Sequence, residues 1–425
     1  MKQIFSVALF AAILIFYGCC NGSVAGRNAV VKTGIDVLKE NGFKELQGKR
    51  IGLVTNPTGV DRNLVSTVDI LANAPGVELV ALYGPEHGVR GNVHAGDHVD
   101  SDKDPATGLP VYSLYGVTRK PTKEMLEGID AIVYDIQDNG CRSFTYISTL
   151  GLLMEAAAEF DKEIIVLDRP NPLGGNKVEG SCVEQGYYSF VSQFKIPYLY
   201  GLTVGELATL VNEEGLVCGE KGDKEPFKCR LTVVPMEGWS RDMLYSQTNL
   251  PWVLPSPHIP QPETALYYPA SGILGELGYM SIGVGYTLPF QIFAAPWIDA
   301  EAMSAALGKL DLPGVKFRPL YIKPFYSAYN GENAGGVQMY VTDFDKVELT
   351  SIQFYIMQVM AELYPEKAVF DNANDGRYRM FDLVCGSNYI RENFARNNRY
   401  SDIKEYWNKD VDSFKKLSEK YYLYR

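Results

Sequence analysis

The first half of the chain carries short, nearly unbroken apolar runs, each ending in a cluster of polar, glycine and proline residues. Residues 50–55 (RIGLVT) end at Asn56-Pro57, and residues 77–83 (VELVALY) end at Gly84-Pro85-Glu86-His87-Gly88. Residues 131–134 (AIVY) end at Asp135, and residues 163–167 (EIIVL) end at Asp168-Arg169-Pro170-Asn171-Pro172. Between these runs the spacing turns helical: Leu64, Val68 and Leu71 share one face, as do Ile147, Leu150 and Met154. Thr203 and Glu206 have the spacing of a capping box and open a helix through Leu207, Leu210 and Val211. Residues 231–234 form a further strand. Strands apolar on both faces, alternating with helices, predict a parallel sheet covered on both sides, and hence an α/β fold.

The pattern changes after a segment with prolines at 251, 255, 257, 260 and 262, where missing N–H groups and fixed φ angles suit a linker or domain edge. It separates a first domain, residues 26–256, from a second, residues 260–425. The second reads as α+β: residues 337–341 alternate like a strand, residues 351–363 form a helix stopped by Pro365, and residues 400–425 are a polar, aromatic-rich tail. A chain of 425 residues suits two domains.

At the N-terminus, Lys2, a short apolar run from Ile4 to Tyr17, and the small residue Gly18 make a secretory signal peptide over residues 1–20. Gly18-Cys19 resembles a bacterial lipoprotein cleavage site, although Phe16 and Tyr17 are bulkier than is usual there. The expectation is an exported protein, periplasmic or membrane-anchored, that meets the membrane only through a lipid on Cys19. A net charge of −11 argues against a nucleic-acid partner, which requires a basic face. Beyond Cys20 the cysteines are Cys141, Cys182, Cys218, Cys229 and Cys385, an odd number that gives no disulfide framework. Cys218 and Cys229 either pair across a polar loop or remain two small unpaired thiols.

Ligands of open parallel sheets sit beyond the carboxyl ends of the strands. Here those ends carry Asn56, then Glu86, His87 and Arg90, then Asp135, Asp138 and Arg142, then Asp168, Arg169 and Asn171. The chain has no GxGxxG or Walker A motif, so no nucleotide cofactor is expected, and no GxSxG nucleophile elbow. Carboxylates are the best-represented reactive groups, and paired carboxylates at a sugar cleft are the usual machinery of glycoside hydrolysis. Glu86 is the leading catalytic candidate because a tight loop fixes it just past a strand. Asp135 and Asp168 are its leading partners, or else hold arginines and sugar hydroxyls. His87, His94 and His98, with Asp97, leave a metal-dependent hydrolase as one alternative. The segment lacks a helical HExxH arrangement, and no cofactor or metal is expected. A non-catalytic lipoprotein that binds cell-wall sugars is the other alternative.

The stretches GPEHGVRG (84–91), TGLPVYSLYG (107–116), DIQDNGCRSFTY (135–146) and LDRPNPLGG (167–175), followed by Val178-Glu179-Gly180, resemble the bacterial exo-β-N-acetylmuramidase family. The resemblance implies a Rossmann-like domain, a smaller C-terminal domain and an active site in the cleft between them. It implies release of N-acetylmuramic acid from non-reducing ends of peptidoglycan fragments. By motif position Glu86 is the catalytic acid, and His87, Arg90, Asp135, Asp138, Arg142, Tyr146, Asp168, Arg169 and Asn171 line the site with Asn56. A guanidinium in the cleft suits the lactyl carboxylate of muramic acid, which it can clamp with two hydrogen bonds. Where many members resemble Glu-Gly-Thr-Asn and then Gly-Arg-Gly-Thr, this chain has Glu276-Leu277-Gly278-Tyr279 and then Gly283-Val284-Gly285-Tyr286. Glu276 is kept, the arginine position is Val284, and Tyr279 and Tyr286 either offer stacking faces for a sugar or are ordinary surface or core tyrosines.

Overall fold

The computed structural model describes residues 31–91, 102–371 and 375–425. Residues 1–30, with Cys19 and Cys20, lie outside these, as do His94, Asp97 and His98. In the first domain seven strands form one sheet: β1 (Arg50–Thr55), β2 (Glu78–Gly84), β3 (Asp102–Lys103), β4 (Pro110–Ser113), β5 (Ala131–Asp135), β6 (Glu163–Leu167) and β7 (Arg230–Val234). Their order is β3-β4-β2-β1-β5-β6-β7, and every pairing is parallel except β3 against β4. Helices α1 (Gly34–Glu40), α2 (Thr67–Ala72), α3 (Tyr146–Glu159) and α4 (Val204–Glu213) accompany the sheet. Ile132, Tyr134 and Val166 of the sheet pack into one core with α3 and α4, while Leu53, Val133 and Ile165 pack into another with α1 and α2. The sheet is therefore covered on both faces, as the apolar runs require.

The predicted capping box forms: Glu206 N donates to Thr203 Oγ1 (3.2 Å), and Thr203 N donates to Glu206 Oε2 (3.0 Å). The predicted helix with Leu64, Val68 and Leu71 on one face is shorter than its spacing suggests. Leu64 has a left-handed φ of 64° and is 56% exposed, and α2 starts only after its N-cap, Ser66. The cause is Asp61, whose Oδ1 accepts from Asn63 N and Val65 N (both 2.9 Å) and holds this stretch in a turn that competes with helix.

The second domain contains α5 (Thr264–Gly275), β8 (Ile292–Ala295), α6 (Ala300–Lys309), β9 (Val315–Ile322), β10 (Ala334–Val341), α7 (Ile352–Leu363), α8 (Asp375–Cys385), α9 (Tyr389–Asn397), α10 (Ser401–Trp407) and α11 (Val411–Ser418). Its sheet is antiparallel in the order β8-β10-β9, with Pro319 on the edge strand β9, where a missing N–H is tolerated. Helix α5 (TALYYPASGILG) is mostly apolar and contains Pro269, so it gave no amphipathic period from which to predict it. Among the described residues no helix is long and apolar enough to cross a membrane. All five described cysteines are free, Cys218 and Cys229 included.

The closing segment is helical, and it returns to the first domain. Phe414 of α11 joins the α3–α4 core, and Tyr424 packs with Val31, Met236 and Trp239. The Tyr424 hydroxyl donates to Asp168 Oδ2 (2.6 Å) and accepts from Met236 N (2.9 Å), while Leu423 N donates to Glu206 Oε1 (2.9 Å). Tyr424→Ala therefore empties a packed aromatic site and is expected to destabilise the protein by about 3–5 kcal/mol. Tyr424→Phe keeps the ring and is expected to lose only about 1–3 kcal/mol. Denaturant unfolding of the two variants checks the order, and equal stabilities of Ala and Phe would refute the packing argument.

Candidate active site

The chain runs outward from β1 to β2 and β4 on one side and from β5 to β7 on the other. The topological switch therefore lies between β1 and β5, where an open α/β sheet offers its ligand crevice. Thr55 and Asp135 are register partners there, and Thr55 Oγ1 donates to the Asp135 carbonyl (2.8 Å). The crevice itself is filled by side chains. Arg169 donates Nε to Asp135 Oδ1 (2.6 Å) and Nη2 to Asp135 Oδ2 (3.0 Å), and its Nη2 also reaches the Val60 carbonyl (2.8 Å). Thr67 Oγ1 adds a further donor to Asp135. Both members of the pair are buried. Asp168 is equally enclosed: it accepts from Arg169 N, Gly205 N, Thr203 Oγ1 and Tyr424 Oη. Burial pushes it up to about 6 against these donors.

Neither Asp135 nor Arg169 lines the pocket that holds Glu86. A pocket of about 150 Å³ is lined by Glu86 and His87 beyond β2, Ser143 to Tyr146 at the start of α3, Ser256, His258 and Ile259 of the proline-rich linker, and Tyr268 and Phe290 of the second domain. The Tyr115 hydroxyl hydrogen-bonds the Glu86 carboxylate. Burial, then the Glu86 charge, pushes Tyr115 up to about 12. Burial also raises Tyr146 and Tyr268, and the same carboxylate adds to both effects. Glu86 thus stands among three tyrosines from three different segments. Tyr146 donates to the Pro255 carbonyl and so ties the linker to the first domain. Tyr268 meets Ser143 Oγ at 3.1 Å, and Ser143 meets Tyr198 Oη at 3.0 Å, so a hydroxyl chain crosses the domain boundary.

The backbone beneath Glu86 is strained. His87 has φ 73° and Gly88 has φ 72°, with Gly88 N bonded to the Pro85 carbonyl (2.9 Å). A non-glycine residue held left-handed costs roughly 1–3 kcal/mol and persists where the surroundings enforce it, often at functional sites. Phe290, on the opposite wall, is also left-handed, with φ 66°.

Of the predicted site residues, the structure brings Glu86, His87 and Tyr146 to the pocket wall. Glu276 is next to it: burial raises its carboxyl against the opposing Arg377 charge, and its own charge acts on Tyr268. The remainder lie behind or away from the wall. Asp135, Asp168 and Arg169 fill the switch point. Arg90 makes a two-point pair with Asp104 (2.8 and 3.0 Å), which holds Asp104 down to about 2. Arg142 is fully buried, giving its protons to Ser192 Oγ and to the carbonyls of Ser181, Ile196 and Val384. Asn171 shapes its own turn by bonding Leu173 N and the Leu202 carbonyl, and Asn56 does the same through Thr58. The Tyr279 ring is buried, and its hydroxyl donates to the Lys367 carbonyl (2.6 Å), so it offers no stacking face. None of the predicted arginines lines the pocket, and the cation-forming side chains that do are His87 and His258. Among the described residues no cluster of three metal-ligating side chains occurs.

Sequence reasoning passed over Tyr115, Ser143, His258, Tyr268 and Phe290. Tyr115 and Ser143 fall inside the distinctive motifs and His258 inside the five-proline segment, so position alone marked them. Tyr268 and Phe290 carried no such mark.

The class this fold and pocket define is a two-domain α/β protein that holds a carboxylate between a Rossmann-like sheet and a smaller α+β domain. Two family models match in succession: the N-terminal domain of exo-β-N-acetylmuramidase NamZ over residues 51–263 and the C-terminal domain over residues 266–424. The chain belongs to that family and is a glycoside hydrolase, as its motifs imply. It is 44% identical over 394 residues to the peptidoglycan β-N-acetylmuramidase NamZ of Bacillus subtilis (strain 168), covering 93% of this chain and 91% of that one. A DUF1343 family protein of Bacteroides fragilis NCTC 9343 superposes with TM-score 0.88 at 62% identity, over 93% of this chain and 99% of its own. A second from the same organism gives 0.71 at 28% identity, with the same coverage.

Asp138 lies behind the pocket wall, with Oδ1 accepting from Gly140 N and Tyr200 Oη (both 2.8 Å) and Oδ2 buried with no hydrogen-bond partner. Burial raises its carboxyl to about 7. Because the folded state holds this proton more tightly than the unfolded chain, the associated stability is complete below the ordinary carboxyl range near 4 and is lost as pH rises through 7. Asp138→Asn keeps the shape and removes the titration. The melting temperature of the wild type is expected to fall more steeply from pH 4 to pH 8 than that of Asp138→Asn, and parallel profiles would refute the assignment.

Proposed function

We propose that this glycoside hydrolase releases N-acetylmuramic acid from the non-reducing ends of peptidoglycan fragments, with Glu86 as the general acid. The observation that carries the proposal is the seating of Glu86. It is the carboxylate on the pocket wall among the described residues, fixed by the strained Glu86-His87-Gly88 turn and surrounded by Tyr115, Tyr146 and Tyr268. Membership of the family and the 44% identity to a peptidoglycan β-N-acetylmuramidase support the substrate class. A small pocket bounded by both domains suits one terminal sugar, which is what exo action requires.

With Asp135 and Asp168 saturated by internal donors, a single pocket carboxylate favours assistance by the substrate. Glu86 protonates the glycosidic oxygen as the C1–O bond breaks, and the carbonyl oxygen of the 2-acetamido group closes on C1. Water then opens the resulting ring and returns a proton to Glu86. Hydrolysis of a chromogenic β-N-acetylmuramide tests this beside the matching N-acetylglucosaminide. Glu86→Gln is expected to lower kcat on the muramide by about 10²–10⁴-fold while ligand binding survives. No release from either sugar by folded wild-type protein would overturn the glycosidase reading in favour of a sugar-binding protein.

The proposed site of action is outside the cytoplasm. The support is the leader-like segment over residues 1–20, with Gly18-Cys19 as the lipidation point. In a cell fractionation, Cys19→Ala is expected to move the protein from the membrane to the soluble exported fraction. Identical distribution of both forms would exclude a lipid anchor at Cys19.

A further inference from the structure

The loop between β9 and β10 holds two aromatic rings toward solvent: Phe325 is 66% exposed and Tyr326 is 48% exposed. On β9 itself, Tyr321 is 67% exposed. Large exposed apolar groups that adjoin one another mark binding surfaces more often than single scattered ones do. This loop is also firmly built. Phe325 N donates to the Gly285 carbonyl (3.0 Å), Gly331 N to the Pro324 carbonyl (2.7 Å), and Tyr329 Oη to the Tyr279 carbonyl (3.0 Å). Ser327 and Tyr329 both stand in left-handed backbone, at φ 65° and 60°. Gly285 has φ +87°, and a Cβ there would lie 1.9 Å from the Tyr326 carbonyl oxygen, so only glycine lets the two loops dock. A strained loop, tied at several points, that presents aromatic rings to water is shaped for a ligand rather than for the core.

Two ring pairs link the pocket and this loop to a groove on the second domain. His258 lines the pocket and stacks on Tyr326, with ring centroids 5.7 Å apart and planes 19° apart. Phe325 follows Tyr326 and lies 6.5 Å from the ring of Tyr286. Tyr286, with Tyr321, Lys323 and Asn333, lines a groove of about 660 Å³ on the second domain. Flat aromatic faces with an ammonium and an amide at the edge match a pyranose, which has an apolar C–H face and a rim of hydroxyl and acetamido groups.

We propose that Tyr326, Phe325, Tyr286 and Tyr321 form a track for the leaving-group side of a glycan chain whose terminal sugar occupies the pocket. The proposal rests on the glycosidase reading above, because it takes the pocket as the place of the terminal sugar. The track explains how an enzyme with room for one sugar distinguishes a polymer end from a free monosaccharide derivative.

The test uses the double variant Phe325→Ser, Tyr321→Ser, two exposed positions whose substitution leaves the core intact, with thermal melting as the check on folding. Two substrates are compared: the chromogenic β-N-acetylmuramide, which has no sugar on the leaving side, and a peptide-free tetrasaccharide prepared from peptidoglycan glycan. KM for the tetrasaccharide is expected to rise about tenfold with kcat nearly unchanged, and the constants for the chromogenic substrate are expected to stay as in the wild type. Equal losses on both substrates, or no loss on either, would overturn the track. Calorimetric binding of the same tetrasaccharide to Glu86→Gln protein, with and without the double substitution, separates the two claims. If wild-type protein hydrolyses neither substrate but the double substitution still weakens tetrasaccharide binding about tenfold, the track stands and the hydrolytic reading fails. Light scattering supplies the remaining comparison: a dimer that becomes a monomer in the double variant would assign the rings to contact between copies and overturn the proposal.

Discussion

A bidentate pair between Asp135 and Arg169 closes the switch point of the sheet, and the location of the site follows from that closure. In a nucleotide-binding sheet the same place is left open and a helix N-terminus faces it. Here the carboxylate of one strand end and the guanidinium following the next strand meet in the crevice, with Thr67 and the Val60 carbonyl completing their hydrogen bonds. Two buried charges are tolerable because each satisfies the other in good geometry, whereas removing either would leave an uncompensated charge. With the central crevice occupied, the pocket that holds Glu86 is formed elsewhere, where the loop after β2 meets the start of α3 and the second domain. The ion pair thus turns a fold associated with cofactors into one whose pocket is shared between domains.

Much of the first domain was legible in the sequence because a strand buried on both faces must be apolar throughout and must end abruptly. The runs starting at Arg50 and Glu163 end as strands where the pattern said they would. Failures arose where local hydrogen bonding overrode periodicity, as Asp61 does for Leu64, or where burial erased it, as in α5. The site was legible to a lesser degree. Glu86, His87 and Tyr146 announced themselves by standing at strand ends or within unusual motifs. The same rule also gathered Asp135, Asp168, Arg90 and Arg142, because a polar residue at a strand end looks alike whether it faces a ligand or holds two loops together. Only the partners distinguish these cases, and the partners lie far away in sequence: Arg142 bonds to the Val384 carbonyl, and Asp168 to Tyr424.

The second domain contributes to the site by position more than by reactive groups. Tyr268 on α5 and Phe290 ahead of β8 close the pocket, and the linker between the domains supplies His258. That segment, read as a linker or domain edge, supplies Ser256, His258 and Ile259 to the pocket wall. Trp252 Nε1 binds the Ile259 carbonyl across the segment, and Tyr146 binds the Pro255 carbonyl, so the relative placement of the two domains fixes the spacing around Glu86.

The return of residues 421–425 to the first domain has a consequence for the order of assembly. The end of β6 and the capping carboxylate of α4 receive hydrogen bonds from Tyr424 and Leu423, which are translated after the whole second domain. During synthesis the Rossmann-like half emerges first but lacks these hydrogen bonds until residues 421–425 arrive. Cutting the chain at the proline-rich segment would therefore separate Asp168 and Glu206 from the Tyr424 and Leu423 groups that bond them.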